Sequence, residues 1–149
     1  MKNLKINLFA LFFVVTTSGF AQVNLDTYLS NYTYKNRKEM KISSKQIVQL
    51  LKDDKALLVD IRFKEEQAAW GMDYALKMPL PTLPERYKEL PKNKLIVASC
   101  PHKDRAIMAM MFLKSKGYKA AYLKKGLIGL ADYLRGDRAK NFIRNFKNE

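Results

Sequence analysis

Six consecutive residues gather the reactive side chains of this chain: Cys100, Pro101, His102, Lys103, Asp104 and Arg105. Cys100 is the only cysteine and His102 the only histidine. A thiolate is a soft nucleophile, and cations or helix starts nearby favour it over the thiol. Lys103 and Arg105 supply the cations, and His102 reads as a hydrogen-bond donor in the loop, not as a general base. Ahead of the cysteine, Lys94 to Ser99 (KLIVAS) has the apolar run of a buried parallel strand. Behind it, Ala106 to Lys116 predicts a helix with Ile107, Met110, Met111 and Leu113 facing inward and Gly117 as its stop. The thiol therefore falls where a strand ends and a helix begins. In open α/β sheets that edge is where ligands bind, and the partnerless N–H groups of a helix start attract anions. The chemistry implied is a nucleophilic sulfur in a cradle for a small anion. A buried, inert cysteine is the plain alternative, but Ser99, Pro101, His102 and Lys103 are poor core neighbours.

The elements that must position this loop follow from periodicity. Ser43 to Gln46 has the Ser-x-x-Gln form of a capping box, and Ile47, Leu50 and Leu51 repeat at helical spacing. Ala56 to Ile61 (ALLVDI) predicts a buried strand ending near Asp60 and Arg62. Glu65 to Trp70 reads as one or two helical turns stopped by Gly71, and Ala75 to Met78 as a brief strand before Pro79, Pro81 and Pro84. Ala120 to Leu123 predicts a strand, Gly126 and Gly129 a turn, Leu130 to Leu134 a helix start, and Asp137 to Phe146 a basic amphipathic helix. Strands alternating with helices predict an α/β domain around a mostly parallel sheet. No repeat or second domain is visible.

The ends and the charge bound the setting. Lys2 and Lys5 precede an apolar run, Leu8 to Val15, and Gly19 and Ala21 stand like the residues before a signal-peptidase cut. The run is broken by Thr16, Thr17 and Ser18, short of the ~20 apolar residues a spanning helix needs. Residues 1–21 are thus expected to be a signal peptide, the protein exported to a bacterial periplasm or secreted, and the membrane met only through that segment. Without them 128 residues remain, with a formal charge of +12, a size for one domain. Residues 22–41 are expected to be an N-terminal extension, 42–135 the domain and 136–149 a C-terminal basic helix. The cations are spread along the chain, which favours anionic partners: a small anion or an acidic protein, with export arguing against nucleic acid. One cysteine excludes an internal disulfide in an oxidising compartment. No residue set has metal-ligand spacing, so no metal or cofactor is expected, and a monomer is.

Several pieces in order resemble the rhodanese, or sulfurtransferase, family over residues 42–135. ISSKQIVQLL is similar to its opening helix and LLVDIR to its Val-Asp-x-Arg strand end. The stretch from Glu65 through Gly71 and Ala75 to Met78-Pro79 is similar to its Glu…Gly-His-Ile…Ala…Ile-Pro run. LPKNKLIVASC resembles the strand entering its cysteine, Cys100 to Arg105 has the Cys-x4-Arg length of its active loop, and KSKGYKAAYLKKG matches its Gly-Tyr-x-x-x-Tyr segment. The resemblance implies a three-layer rhodanese-like fold. It also implies that Cys100 takes sulfane sulfur as a persulfide from a small anionic donor and passes it to a thiol acceptor. By the same resemblance the loop backbone holds the outer sulfur, Arg105 anchors the loop and its anionic guest, and Asp60 and Arg62 brace the site. Solvated charges at a strand end are the plain alternative for that last pair.

The chain departs from the family pattern in ways that bear on turnover. Pro101 lacks an N–H and so removes one donor from the cradle. Lys103 stands where the family has glycine, so a left-handed backbone is expected there, at a cost of ~1 kcal/mol or more. Met72 replaces a histidine, and Leu127 and Ala131 replace a glycine and a tryptophan. A catalytically silent binding module that docks an acidic partner is therefore the competing reading. Two other classes fit less well. A disulfide oxidase built on Cys-Pro-His needs a second cysteine where Lys103 stands, and a cysteine phosphatase needs five residues between Cys and Arg where this loop has four.

Overall fold

The computed structural model describes residues 24–146; the expected signal peptide lies outside them. One sheet of five strands has the order β1-β5-β4-β2-β3. The strands are β1 (Lys41–Ile42), β2 (Ala56–Asp60), β3 (Leu76–Lys77), β4 (Leu95–Ser99) and β5 (Ala120–Leu123). Every pairing is parallel, with Leu58 opposite Val97 and Val97 opposite Ala121 at the centre. Eight α-helices accompany it among the described residues: α1 (Leu25–Ser30), α2 (Tyr34–Glu39), α3 (Ser44–Lys52), α4 (Lys64–Ala69), α5 (Leu83–Arg86), α6 (Asp104–Ser115), α7 (Gly126–Tyr133) and α8 (Asp137–Phe146). This is the three-layer α/β fold expected.

Side chains alternate across a strand, and here the alternation divides the apolar residues between two cores. Val59, Ile61, Ile96, Ala98, Ala120 and Tyr122 face one core, closed by Ala106, Ala109, Met110 and Leu113 of α6. Ala56, Leu58, Val97 and Leu123 face the other, closed by Ile47 and Leu51 of α3, Leu127 and Leu130 of α7, and Phe142 of α8. Because Cys100 keeps the parity of Ile96 and Ala98, it falls on the α6 side. The predicted capping box of α3 is present: Ser43 N donates to Gln46 Oε1 at 3.0 Å and Gln46 N to Ser43 Oγ at 3.3 Å.

Four local expectations are corrected. Lys41, placed in the extension, lies in edge strand β1, because Tyr122 N donates to Met40 O at 2.9 Å and Lys124 N to Ile42 O at 2.8 Å. Residues ahead of it form α1 and α2. The helix after the cysteine starts two residues earlier than predicted, at Asp104; Met110 and Leu113 are buried as expected, together with Ala106 and Ala109, while Ile107 and Met111 are only partly covered. Finally, Gly126 begins α7 and Gly129 lies within it, where a turn was predicted; the loop after β4 supplies the acceptors that start this helix.

Candidate functional site

The carboxyl ends of β2 and β4 carry the site, and each functional residue is held by a specific local cause. Ile61 N donates to Ser99 O at 3.0 Å, so the sheet ladder runs up to the residue before Cys100. Cys100 itself is 2% exposed and packs in the α6-side core. Its carbonyl accepts from Leu127 N at 2.8 Å, and that of Pro101 from Ile128 N at 3.3 Å. The start of α7 thereby caps itself on the cysteine loop. Gly126 makes this approach possible with a positive φ of 58° and no side chain. A Cβ there would stand 2.2 Å from the carbonyl oxygens of Pro101 and His102, and 2.6 Å from that of Cys100.

Three successive carbonyls thus converge on Gly126. Across a planar trans peptide, C=O and the following N–H point in opposite directions. The N–H groups of His102 and Lys103 are accordingly turned away from α7, and Pro101 contributes none. The first backbone bond of α6 is Ile107 N to Lys103 O at 2.9 Å. Among the described residues, no acceptor meets the N–H groups of His102, Lys103, Asp104, Arg105 or Ala106. Asp104 adds an acid in the first turn of α6, where the helix dipole favours it. His102, Lys103 and Asp104 are exposed and Pro101 half-buried.

Lys103 has φ −155° and ψ −24°. The left-handed backbone expected at this position is absent, and with it the expected strain. The only non-glycine residue with positive φ among those described is Asp54, on the far side of β2.

Arg105 is committed to a carboxylate that the sequence reading did not single out. Its Nη1 donates to Glu66 Oε2 at 2.5 Å and its Nη2 to Glu66 Oε1 at 2.8 Å, the bidentate geometry that makes such pairs strong. Arg105 holds Glu66 well below the usual carboxylate range, at about 2, with smaller help from the N–H of Phe63 and the charge of Arg62. Glu66 in turn raises the Arg105 guanidinium, and Cys100 and Asp104 add lesser contributions. The guanidinium ties α6 to α4 across the loop. A signal for Glu66 existed in the Glu65-Glu66 start of a helix just beyond Arg62, although nothing local connects it to a residue 39 positions away.

Asp60 and Arg62 are buried, at 1% and 0% exposure, so the picture of solvated strand-end charges does not hold. Arg62 Nη2 donates to Asp60 Oδ2 at 2.6 Å and Nε to Asp60 Oδ1 at 3.0 Å. Nη2 also donates to Trp70 O at 2.7 Å and Nη1 to Glu66 O at 3.3 Å. The guanidinium lies 4.0 Å from the centre of the Trp70 ring. Arg62 therefore braces the end of α4, the helix that carries Glu66, through the Trp70 carbonyl and as a second donor to the Glu66 carbonyl that Trp70 N already meets. Gln67 of the same helix donates to the carbonyls of Asp60 and Arg62 at 2.9 and 3.0 Å. Hydrogen bonds join Arg105, Glu66, Arg62 and Asp60 into one connected chain, and Cys100 adds to the electrostatic environment of its Arg105 end.

A model of the rhodanese-like domain matches residues 43–131, which include all of these. The chain belongs to the rhodanese-like domain family. Among curated proteins, this rhodanese-like chain is 35% identical over 92 residues to a sulfurtransferase of Allochromatium vinosum, covering 60% of this chain and 86% of that one. It is also 27% identical over 114 residues to a tRNA uridine(34) hydroxylase of Buchnera aphidicola, covering 72% of this chain and 36% of the other. Among solved structures, a rhodanese-related protein of Thermoplasma volcanium aligns with a TM-score of 0.57 at 19% identity, over 62% of this chain and 91% of its own.

Proposed function

We propose that this rhodanese-like protein is a sulfurtransferase that carries sulfane sulfur as a persulfide on Cys100. The observation that carries the reading is the carbonyl-out geometry of residues 100–102. It leaves five N–H groups, those of residues 102–106, without acceptors around the start of α6, a ready anion site. In the loading step, the Cys100 thiolate attacks the outer sulfur of thiosulfate or a related donor. The S–S bond of the donor breaks and sulfite leaves with the electron pair, so Cys100 becomes a persulfide bearing one negative charge. In the second step an acceptor thiolate attacks the outer sulfur, and Cys100 leaves as a thiolate. The loop N–H groups would hold the charge on the outer sulfur, in place of a discrete cation. Arg105 would act through position, since both its Nη groups are taken by Glu66.

The absence of left-handed strain at Lys103 removes one motive for reading the loop as silent. Intact-mass measurement after incubation with thiosulfate tests the proposal. One added sulfur is expected on the native chain and none on Cys100→Ser. A thiol that stays unloaded with thiosulfate and with mercaptopyruvate would favour the binding-module reading instead. The leader-like first 21 residues support a reading in which this chemistry belongs to an exported protein, and N-terminal sequencing should then begin near Gln22; a retained Met1 would refute export by cleavage.

A further inference from the structure

The carboxyl ends of β1, β5 and β4 lie side by side, on the flank of Cys100 away from the Arg105–Glu66 pair. Lys41 sits on β1, Lys124 and Lys125 follow β5, and His102 and Lys103 follow β4. Lys103, Lys124 and Lys125 are exposed, Lys41 half-buried, and His102, Lys103, Lys124 and Lys125 line a shallow hollow of about 240 Å³. Among the described residues none of these four lysines has a carboxylate within salt-bridge distance. Lys41 is pushed below its ordinary value by desolvation and by the charges of Arg37, Lys124 and Lys103. The cations thus repel one another across the three strand ends, and among the described residues none of them is neutralised by an ion pair, although Asp104 adjoins Lys103 and Asp132 shares a hollow with Lys124 and Lys125.

We propose that the acceptor of the Cys100 sulfur is a protein thiol within an acidic segment, which docks on this shelf of Lys41, Lys103, Lys124 and Lys125. The inference rests on the sulfur-transfer reading above and names its acceptor. Width argues for a segment over a small anion. Three neighbouring strand ends span about 10 Å, more than one small dianion can neutralise, whereas an extended chain advances ~3.3 Å per residue and lays three or four residues across that distance, with about two acidic side chains facing the lysines. An apolar neighbour argues for protein over a polyphosphate chain. Ile128, whose N–H is bonded to Pro101 O and which lies three residues after Lys125, is 47% exposed. Protein interfaces combine such apolar contacts with a charged rim.

Two cysteine peptides test this, one flanked by glutamates and its twin by glutamines, given to protein already loaded with sulfur. The acidic peptide should accept sulfur about tenfold faster at low salt, and the preference should shrink as salt rises. Lys124→Glu with Lys125→Glu should bring the ratio of the two rates close to one. The same reversal at Lys52 and Lys55, before the amino end of β2, should leave that ratio as it was. A fluorescent acidic peptide with serine in place of cysteine measures docking apart from chemistry, by anisotropy on unloaded protein. Equal rates with both peptides would overturn the docking alone. So would tighter binding of a single-stranded oligonucleotide or of phosphatidylglycerol vesicles at the same ionic strength. Peptide binding with no sulfur passed would overturn the transfer reading, and the acceptor assignment with it.

Discussion

Glu66→Gln isolates the electrostatic part of the loop anchor. The amide keeps the size and one acceptor oxygen but gives Arg105 no counter-charge. The folded state holds Glu66 at about 2 against an ordinary 4.5. At 1.36 kcal/mol per unit that difference is worth at most ~3 kcal/mol. Arg105 and Glu66 are 29% and 33% exposed, so solvent screening reduces this to about 1–2 kcal/mol. The folded value is depressed, so the stabilisation is complete above the unfolded carboxylate range and is lost as pH falls from about 4.5 through about 2. At pH 7 the variant should melt about 3–6 °C below the native protein. By pH 2 the two curves should nearly coincide, because at a folded value of about 2 the native carboxylate is then about half protonated and most of the stabilisation between 4.5 and 2 is already lost. Thermal unfolding followed by circular dichroism across that range supplies the comparison. Sulfur transfer at pH 7 should fall about tenfold, the equivalent of ~1.4 kcal/mol, as the loop loses its tie to α4. A melting difference that stays constant from pH 7 to pH 2 would show that the charge pair contributes nothing and that the side chain matters only through packing.

Other substitutions probe the remaining parts. Gly126→Ala places a Cβ 2.2 Å from two loop carbonyls at a positive φ, so chemical denaturation should show a loss of more than ~1 kcal/mol from backbone strain alone, together with slower transfer. Asp60→Asn leaves the fully buried Arg62 without its counter-charge, and the urea midpoint should report a loss of about 3–5 kcal/mol. Lys103→Gly relieves no strain, since φ is −155°. Transfer rates with thiosulfate should not rise, and a several-fold gain would mean that the loop adopts a left-handed form during turnover.

Much of this arrangement is legible in the residue order. The runs ALLVD, LIVAS and AAYL are buried strands at the places their apolar continuity predicts, because strands covered on both faces need apolar residues throughout. The cysteine at a strand end before a helix is legible for the same reason. What escapes is set by contacts between distant residues. β1 is two residues long and contains a lysine, so no periodicity marks it; its pairing with Tyr122 and Leu123 creates it. Gly126 to Gly129 has the composition of a turn, yet carbonyls from residues 100 and 101 start a helix there. Lys103 misleads in the opposite direction. The family's glycine implies a left-handed backbone, whereas this loop reaches α6 without one. Glu66 is invisible as a partner of Arg105 until the fold brings α4 beside α6.

Edge strand β1 and helix α8 have a practical consequence for anyone who trims the chain. The family match runs from residue 43 to residue 131, and a fragment cut at those limits would omit both. Loss of Met40 to Ile42 leaves the N–H groups of Tyr122 and Lys124 without their acceptors and opens an unprotected sheet edge, a template for aggregation. Loss of α8 removes Phe142, which is 1% exposed and touches the Tyr74 ring at a centroid distance of 4.9 Å. Removing a buried phenylalanine costs about 3–5 kcal/mol, a large part of the ~5–15 kcal/mol that holds an ordinary domain folded. The cooperative folding unit is therefore longer than the family segment, and recombinant fragments that start before Lys41 and end after Phe146 should be the ones that stay soluble.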